Sequence, residues 1–219
     1  MTDDSRLAQL ASLTTSGVSD ALDQLGIAGQ CYGIMPLDRS FRLAGRAWTL
    51  RYGPVGEDSG TVGDYIDDIS PGQVVVLDNQ LRTDATVWGD LLTTTAAARG
   101  VAGTIIDGVC RDLDRSIELG YPIFSRGNWM RTGKDRVRVE EVGGPVTIGG
   151  IRVRPDDLLL GDGDGLVVVP AGRADDVIAA AVEIEHAEAV IREAIGAGQG
   201  LRQARAAVGY HALQSRRHR

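Results

Sequence analysis

The chain has 219 residues, a formal net charge of -7, 43% hydrophobic and 24% charged residues, a balance that belongs to a folded protein with one substantial core and excludes a largely disordered chain. Acidic and basic residues are interleaved along most of it, so no broad positive face for a phosphate backbone is expected and direct nucleic-acid binding is set aside. Cys31 and Cys110 lie far apart without metal-type spacing, which argues against a disulfide framework or a zinc site and suits a reducing cytoplasm. The amino end lacks a basic region followed by an apolar run, and no apolar stretch is long enough to span a bilayer, so neither secretion nor membrane insertion is expected.

In residues 5–25, Leu7, Leu10, Leu13, Val18, Ala21, Leu22 and Leu25 recur at helical spacing. Gly17 breaks that pattern and Gly26 ends it, which predicts two short helices with Ser16 or Ser19 capping the second. Apolar runs between glycine- or proline-marked turns predict strands at 46–52, 73–77, 103–106, 122–124, 137–142, 145–148 and 166–169. The runs at 74–77 and 104–106 do not alternate with polar residues, as suits strands covered on both faces. Between them, 91–99 is rich in Ala and Thr and reads as a helix packed on the sheet. From residue 145, glycine turns at 149–150 and 161–165 suggest a small antiparallel layer. Residues 172–207 predict a long helix interrupted near Gly196 and Gly198. The fold class is α/β: a compact mixed-sheet sandwich over 1–171, with a helical tail over 172–219 that packs on the domain or on a neighbouring subunit.

Two segments carry chemistry. Trp88-Gly89-Asp90-Leu91-Leu92 opens the helix at 91–99, where unpaired amides and the helix dipole can hold a carboxylate or phosphate. Asp107 to Asp114, with Arg111 and Asp112 adjacent, follows the next strand, and ligands gather at the carboxyl ends of strands in such sheets. Asp90 and Arg111 are separated by about twenty residues, one helix and one strand of a single crossover, so both loops reach one sheet edge. The result is an anion-binding helix start, a guanidinium and two carboxylates, a set suited to a hard metal ion and an acidic substrate.

Other features have plainer readings. Asp64, Asp67 and Asp68 read as a solvated helix face, Lys134 as a loop residue, and Gly161 to Gly165 as a tight turn rather than a calcium loop. His186, His211 and His218 make no ligand set, and the basic cluster Arg216, Arg217, His218 and Arg219 reads as a solvated terminus.

With that spacing, the sequence resembles the family containing the 4-hydroxy-4-methyl-2-oxoglutarate and 4-carboxy-4-hydroxy-2-oxoadipate aldolases and the RraA regulators of RNA degradation. The likeness extends to Ser19-Asp20-Ala21-Leu22, Ala44-Gly45-Arg46-Ala47, Trp88 to Leu92, Gly108 to Asp112, Tyr121-Pro122-Ile123-Phe124 and Gly161 to Pro170. It implies an RraA-like, swivelling-domain fold, assembly as trimers or hexamers with sites between subunits, and a pyruvate-releasing lyase using Mg2+ or Mn2+. By the same resemblance Asp112 holds the metal, Arg111 binds the substrate oxygen, the amides of Gly89, Asp90, Leu91 and Leu92 grip the pyruvyl carboxylate, and Asp90 orients a water. An acid from the neighbouring subunit's tail helix is also implied, with Glu188 the first choice and Glu185 the second. The implied substrates are 4-hydroxy-2-oxo-dicarboxylic acids, with oxaloacetate decarboxylation alongside; the alternative is a non-catalytic protein that binds an RNA-degrading enzyme. Gln80-Leu81 stands where many relatives have a glycine pair, which is expected to reshape the substrate pocket.

Overall fold

A computed structural model describes residues 3–56 and 62–210. Helices α1 (Asp3–Ala11) and α2 (Thr15–Gln24) lead into the short β1 (Met35–Pro36) and the long β2 (Leu43–Pro54). After a 3-10 helix at Asp64–Asp68 come β3 (Gln73–Thr86), α3 (Asp90–Ala98), β4 (Gly103–Val109), α4 (Leu113–Leu119) and β5 (Ile123–Ser125). The chain continues through β6 (Val137–Val142), the hairpins β7 (Val146–Ile148) with β8 (Ile151–Val153) and β9 (Leu158–Asp162) with β10 (Gly165–Val169), then α5 (Ala174–Gly196) and α6 (Leu201–Ala207).

Strands β2, β3, β4 and β5 run parallel at the centre of one mixed sheet of order β1-β5-β4-β3-β2-β9-β10. The far edge of β2 is shared: its first half pairs antiparallel with β9 and its second half with β6. Residues 29–36 then touch both edges of the sheet. Val168 N–H donates to Gly29 O (2.8 Å) and Cys31 N–H to Leu166 O (3.0 Å), while Met35 and Pro36 pair with β5. The sheet is thereby nearly closed, a tighter arrangement than the open sandwich the strand pattern suggests.

The uninterrupted apolar runs do serve two faces. Val74, Val76, Ile105 and Leu159 point into the sheet's interior, whereas Val75, Leu77 and Ile106 lie under α3 and α4, and Leu158, Leu160, Val167 and Val169 pack on α2 and α5. The β7–β8 hairpin plugs the interior with Val146, Ile148 and Val153. Two buried carboxylates on central strands hold it: Asp78 of β3 accepts from Thr147 N–H (3.2 Å), and Asp107 of β4, paired with Arg126, accepts from Gly149 N–H (2.9 Å).

Several expectations need correction. The first helix break falls at residues 12–14 rather than Gly17, and Thr14, not Ser16 or Ser19, caps α2 by accepting from Gly17 N–H (3.1 Å). Gly17 sits inside α2, where a Cβ would stand 2.8 Å from Glu185 Oε1, closer than side chains pack. Only β7–β8 forms a separate antiparallel layer, since β9–β10 joins the main sheet. The tail helix does break after Gly196, and α5 packs on α1 and α2 of its own chain through Val177, Ile178, Ala181 and Ile184. Residues 211–219, including His211, His218 and the terminal arginines, lie outside the described residues. No helix among those described is long and apolar enough to cross a membrane.

Asp162 fastens α2 to the β9–β10 turn. Its buried carboxylate accepts from Thr15 N–H (2.9 Å), Thr15 Oγ1 (2.6 Å) and Asp164 N–H (2.9 Å). Burial pushes its pKa up, but these bonds and Arg42 outweigh that and hold it below the ordinary value. A carboxyl whose pKa is lower in the folded state stabilises above its unfolded pKa, about 4, and that contribution disappears as pH falls through the folded value. Asp162→Asn is therefore expected to lose about 1–3 kcal/mol at pH 7 in urea unfolding, with the gap to wild type narrowing in acid. Equal stability at pH 7 contradicts this role.

Candidate active site

The β3–α3–β4 crossover brings the start of α3 beside the end of β4, as a single right-handed parallel unit must. Arg111 N–H donates to Trp88 O (3.0 Å), tying the two loops together. Trp88 is itself fixed by burial, by its Nε1–H on Thr93 Oγ1 (2.9 Å) and by stacking on Tyr121.

Asp112 occupies the left-handed region (φ 59°), which Asp tolerates better than most residues but which still stores strain. Its position precedes α4, yet its side chain does not cap that helix. The carboxylate turns instead to α3, where Oδ2 accepts from Asp90 N–H (3.1 Å) and pairs with Arg111 Nε (3.3 Å). Asp90 Oδ1 in turn accepts from Leu91 N–H (2.9 Å). Two amides at the start of α3 thus already hold carboxylate oxygens, the behaviour expected of an unpaired helix end. Arg111 is only partly covered, and its terminal nitrogens bond to no other described residue.

Gly89 makes this packing possible. A Cβ there would stand 2.7 Å from Asp112 Oδ2 and 3.1 Å from Arg111 Nε. Its backbone is extended (φ -152°), so the requirement is space and not unusual torsion.

A cavity of about 480 Å3 opens on this cluster, lined by Gly89, Asp90, Leu91, Leu92 and Arg111 together with Thr86, Thr95 and Thr132. Its remaining wall is the 3-10 segment, with Val62, Asp64, Ile66 and Asp67. Asp64 and Asp67 are exposed, as a solvated face expects, and they also line the cavity. Nothing in the local pattern could signal this, because the β2–β3 connection alone delivers them. Gln80 and Leu81 do not line the cavity; both have positive φ (52° and 62°) in a bulge of β3 held by Gln80 Nε2 on Tyr52 O (2.9 Å). Lys134 is exposed in a turn, as its loop reading expects.

Among the described residues no three His, Cys, Asp or Glu side chains converge as a metal cage. Asp90 at the cavity and Asp112 in an adjoining pocket, with Arg111 lining both, supply hard oxygen donors, a set that fits a cation such as Mg2+, which keeps several waters and takes further ligands from substrate, and does not fit a closed zinc site. Neither tail acid lines the cavity within one chain. Glu185 accepts from Thr14 N–H (2.7 Å) and Thr14 Oγ1 (2.8 Å); Glu188 accepts from Tyr210 Oη (2.8 Å) and Arg192 Nη1 (3.2 Å). The thiols of Cys31 and Cys110 are buried and pushed up to about 12 and about 11 respectively, so neither is a nucleophile at neutral pH.

Fold and site together define an α/β protein with an anion-receptive helix start facing a guanidinium–carboxylate pair. The chain belongs to the RraA-like family (Aldolase/RraA), whose pattern matches residues 15–168. A Halalkalibacterium halodurans protein provisionally named 4-hydroxy-4-methyl-2-oxoglutarate aldolase is 32% identical over 78% of this chain and 80% of its own. Protein DlpA of Legionella pneumophila is 37% identical over 91% of this chain, which spans only 33% of DlpA. Among solved structures, an uncharacterized Pseudomonas syringae protein superposes with a TM-score of 0.87 at 44% identity, covering 92% of this chain and 97% of that one. Streptomyces coelicolor RraAS2, described as an unusual member of the RNase ES inhibitor RraA family, gives 0.80 at 29% identity, covering 87% and 97%.

If Asp112 is held as described, Gly89→Ala displaces its carboxylate without unfolding the chain, since the one atom closer than 3.0 Å is the end of the Asp112 side chain. The Asp90 amide resonance is expected to shift markedly while stability changes by less than about 1 kcal/mol. An unmoved Asp90 amide, or a chain that unfolds, counts against the arrangement.

Proposed function

We infer that the chain is a divalent-metal-dependent aldolase that cleaves 4-hydroxy-2-oxo acids to pyruvate and a second carbonyl compound, and that decarboxylates oxaloacetate through the same enolate. The dicarboxylic acid in the relatives' name is the first substrate to try. The observation that carries the reading is the Arg111–Asp112 pair held against the start of α3, with Arg111 on the cavity wall and Asp112 in the adjoining pocket that Arg111 also lines.

The amides that now donate to carboxylate oxygens are the donors a substrate carboxylate needs. Arg111, which lines the cavity, would receive the ketone oxygen and balance the charge that develops as the C3–C4 bond breaks. Asp90 would hold the water that takes the C4 hydroxyl proton. A Mg2+ or Mn2+ ion on Asp112 would supply further positive charge at the same oxygens. Self-association into trimers or hexamers belongs to this reading, with Glu188 as the acid offered to a neighbouring site. A second reading, a binding protein that acts on an RNA-degrading enzyme, draws on the likeness to RraAS2.

Pyruvate release from 4-hydroxy-4-methyl-2-oxoglutarate and from oxaloacetate, measured with Mg2+, Mn2+ and chelator, tests the inference. Turnover should require the metal and fall on the order of 100-fold or more in Asp112→Ala. Turnover that survives chelator, or persists in Asp112→Ala, contradicts the mechanism; no turnover with either metal puts the binding-protein reading first.

A further inference from the structure

The peptide between Gly89 and Asp90 faces two ways. Its N–H, at Asp90, donates to Asp112 Oδ2 (3.1 Å), and its carbonyl, at Gly89, points in the opposite direction, as the two ends of a trans peptide must. That carbonyl accepts twice from Thr93, from the backbone N–H and from Oγ1, each at 3.0 Å. Thr93 is wholly buried, and its Oγ1 also accepts from Trp88 Nε1–H (2.9 Å). An indole N–H can only donate, so the single hydroxyl proton of Thr93 is committed to Gly89 O. Trp88 is stacked on Tyr121, whose hydroxyl shares a hydrogen bond with Thr104 of β4 (2.8 Å).

A helical threonine often bonds the carbonyl four residues back with no further meaning, as Thr95 does on Leu91 O (2.9 Å) at an exposed position. Thr93 differs in two respects. Its hydroxyl is oriented by a donor that is itself fixed, and the carbonyl it holds belongs to the peptide whose N–H meets Asp112. Hydrogen bonds in series polarise one another, so the run from indole to hydroxyl to carbonyl makes the Asp90 N–H a stronger donor as well as an oriented one. Trp88 also accepts Arg111 N–H on its own carbonyl (3.0 Å), so one residue anchors both halves of the anion-receptive site.

We propose that Thr93 is a positioning residue of this site: its hydroxyl, oriented by the Trp88 indole, holds the Gly89–Asp90 peptide so that the Asp90 N–H is aimed at an incoming carboxylate. The identity of that carboxylate, the pyruvyl group, rests on the aldolase reading; the geometry rests on hydrogen bonds within one chain. Thr93 does not line the cavity and acts only through the peptide it holds. The pyruvyl carboxylate is not a reacting group and is gripped alike before and during bond cleavage. Loosening its donor therefore weakens binding more than turnover.

The test compares Thr93→Val, which keeps the branched shape without the hydroxyl, with Thr93→Ser, which keeps the hydroxyl. In Thr93→Val the Asp90 amide proton should move upfield by NMR, and KM for oxaloacetate with Mg2+ should rise about tenfold while kcat stays within about threefold of wild type. Thr93→Ser should match wild type in both. An unmoved Asp90 amide, an unchanged KM, a loss confined to kcat, or a serine variant that behaves like the valine one overturns the proposal. Should Thr93→Val fail to fold, Thr93→Cys, whose thiol fills the space but donates weakly, decides in its place by the same two readouts. If wild type itself yields no pyruvate, the aldolase reading falls and the amide comparison alone decides the positioning role: an upfield shift in Thr93→Val that Thr93→Ser lacks sustains it, and any other pattern overturns it.

Discussion

The site depends on one hydrogen bond between elements about twenty residues apart, from the Asp90 amide at the start of α3 to Asp112 Oδ2 after β4. That bond has three prerequisites. Gly89 must lack a side chain, Asp112 must adopt a left-handed backbone, and Arg111 must lie flat enough for its Nε to share the same oxygen. Each departs from what a helix or loop would adopt for stability alone. Local strain and an uncapped α4 gather where a carboxylate and a guanidinium are presented to solvent, a pattern expected when ligand binding shapes the sequence.

The rest of the fold keeps that geometry fixed. Parallel pairing of β3 with β4 sets the height of the two loops, and closure of the sheet through residues 29–36 prevents the strands from sliding. Asp78 and Asp107, buried within these strands, spend their charge on the β7–β8 hairpin and on Arg126 rather than on the cavity. The molecule thus separates carboxylates that seal the interior from those that face ligand.

The convergence of Asp90, Arg111 and Asp112 was legible in the sequence because a strand–helix–strand crossover admits one handed arrangement, and both segments flank unmistakable apolar runs. Asp64 was not, since its place depends on how a long connection folds back along α3, which no local periodicity encodes. The bulge at Gln80 and Leu81 was equally hidden: positive φ normally announces itself through glycine, and here two larger residues adopt it at roughly 1–2 kcal/mol each. Sheet closure and the short α4 escaped for a related reason, because residues 29–36 pair through isolated bonds at two distant edges and seven residues hold too few apolar repeats to declare a helix. The helix break was misplaced because Gly17 makes room for Glu185, a tertiary cause, and does not end a helix.

The central claim is that Arg111 and its neighbours stabilise a pyruvate enolate, and it can be examined without knowing the natural substrate. Pyruvate in D2O with the protein and Mg2+ should lose its methyl proton signal by exchange, followed by NMR, well above the rate in buffer, and Arg111→Ala should remove most of that acceleration. Exchange no faster than buffer, or unaffected by Arg111→Ala, contradicts the account.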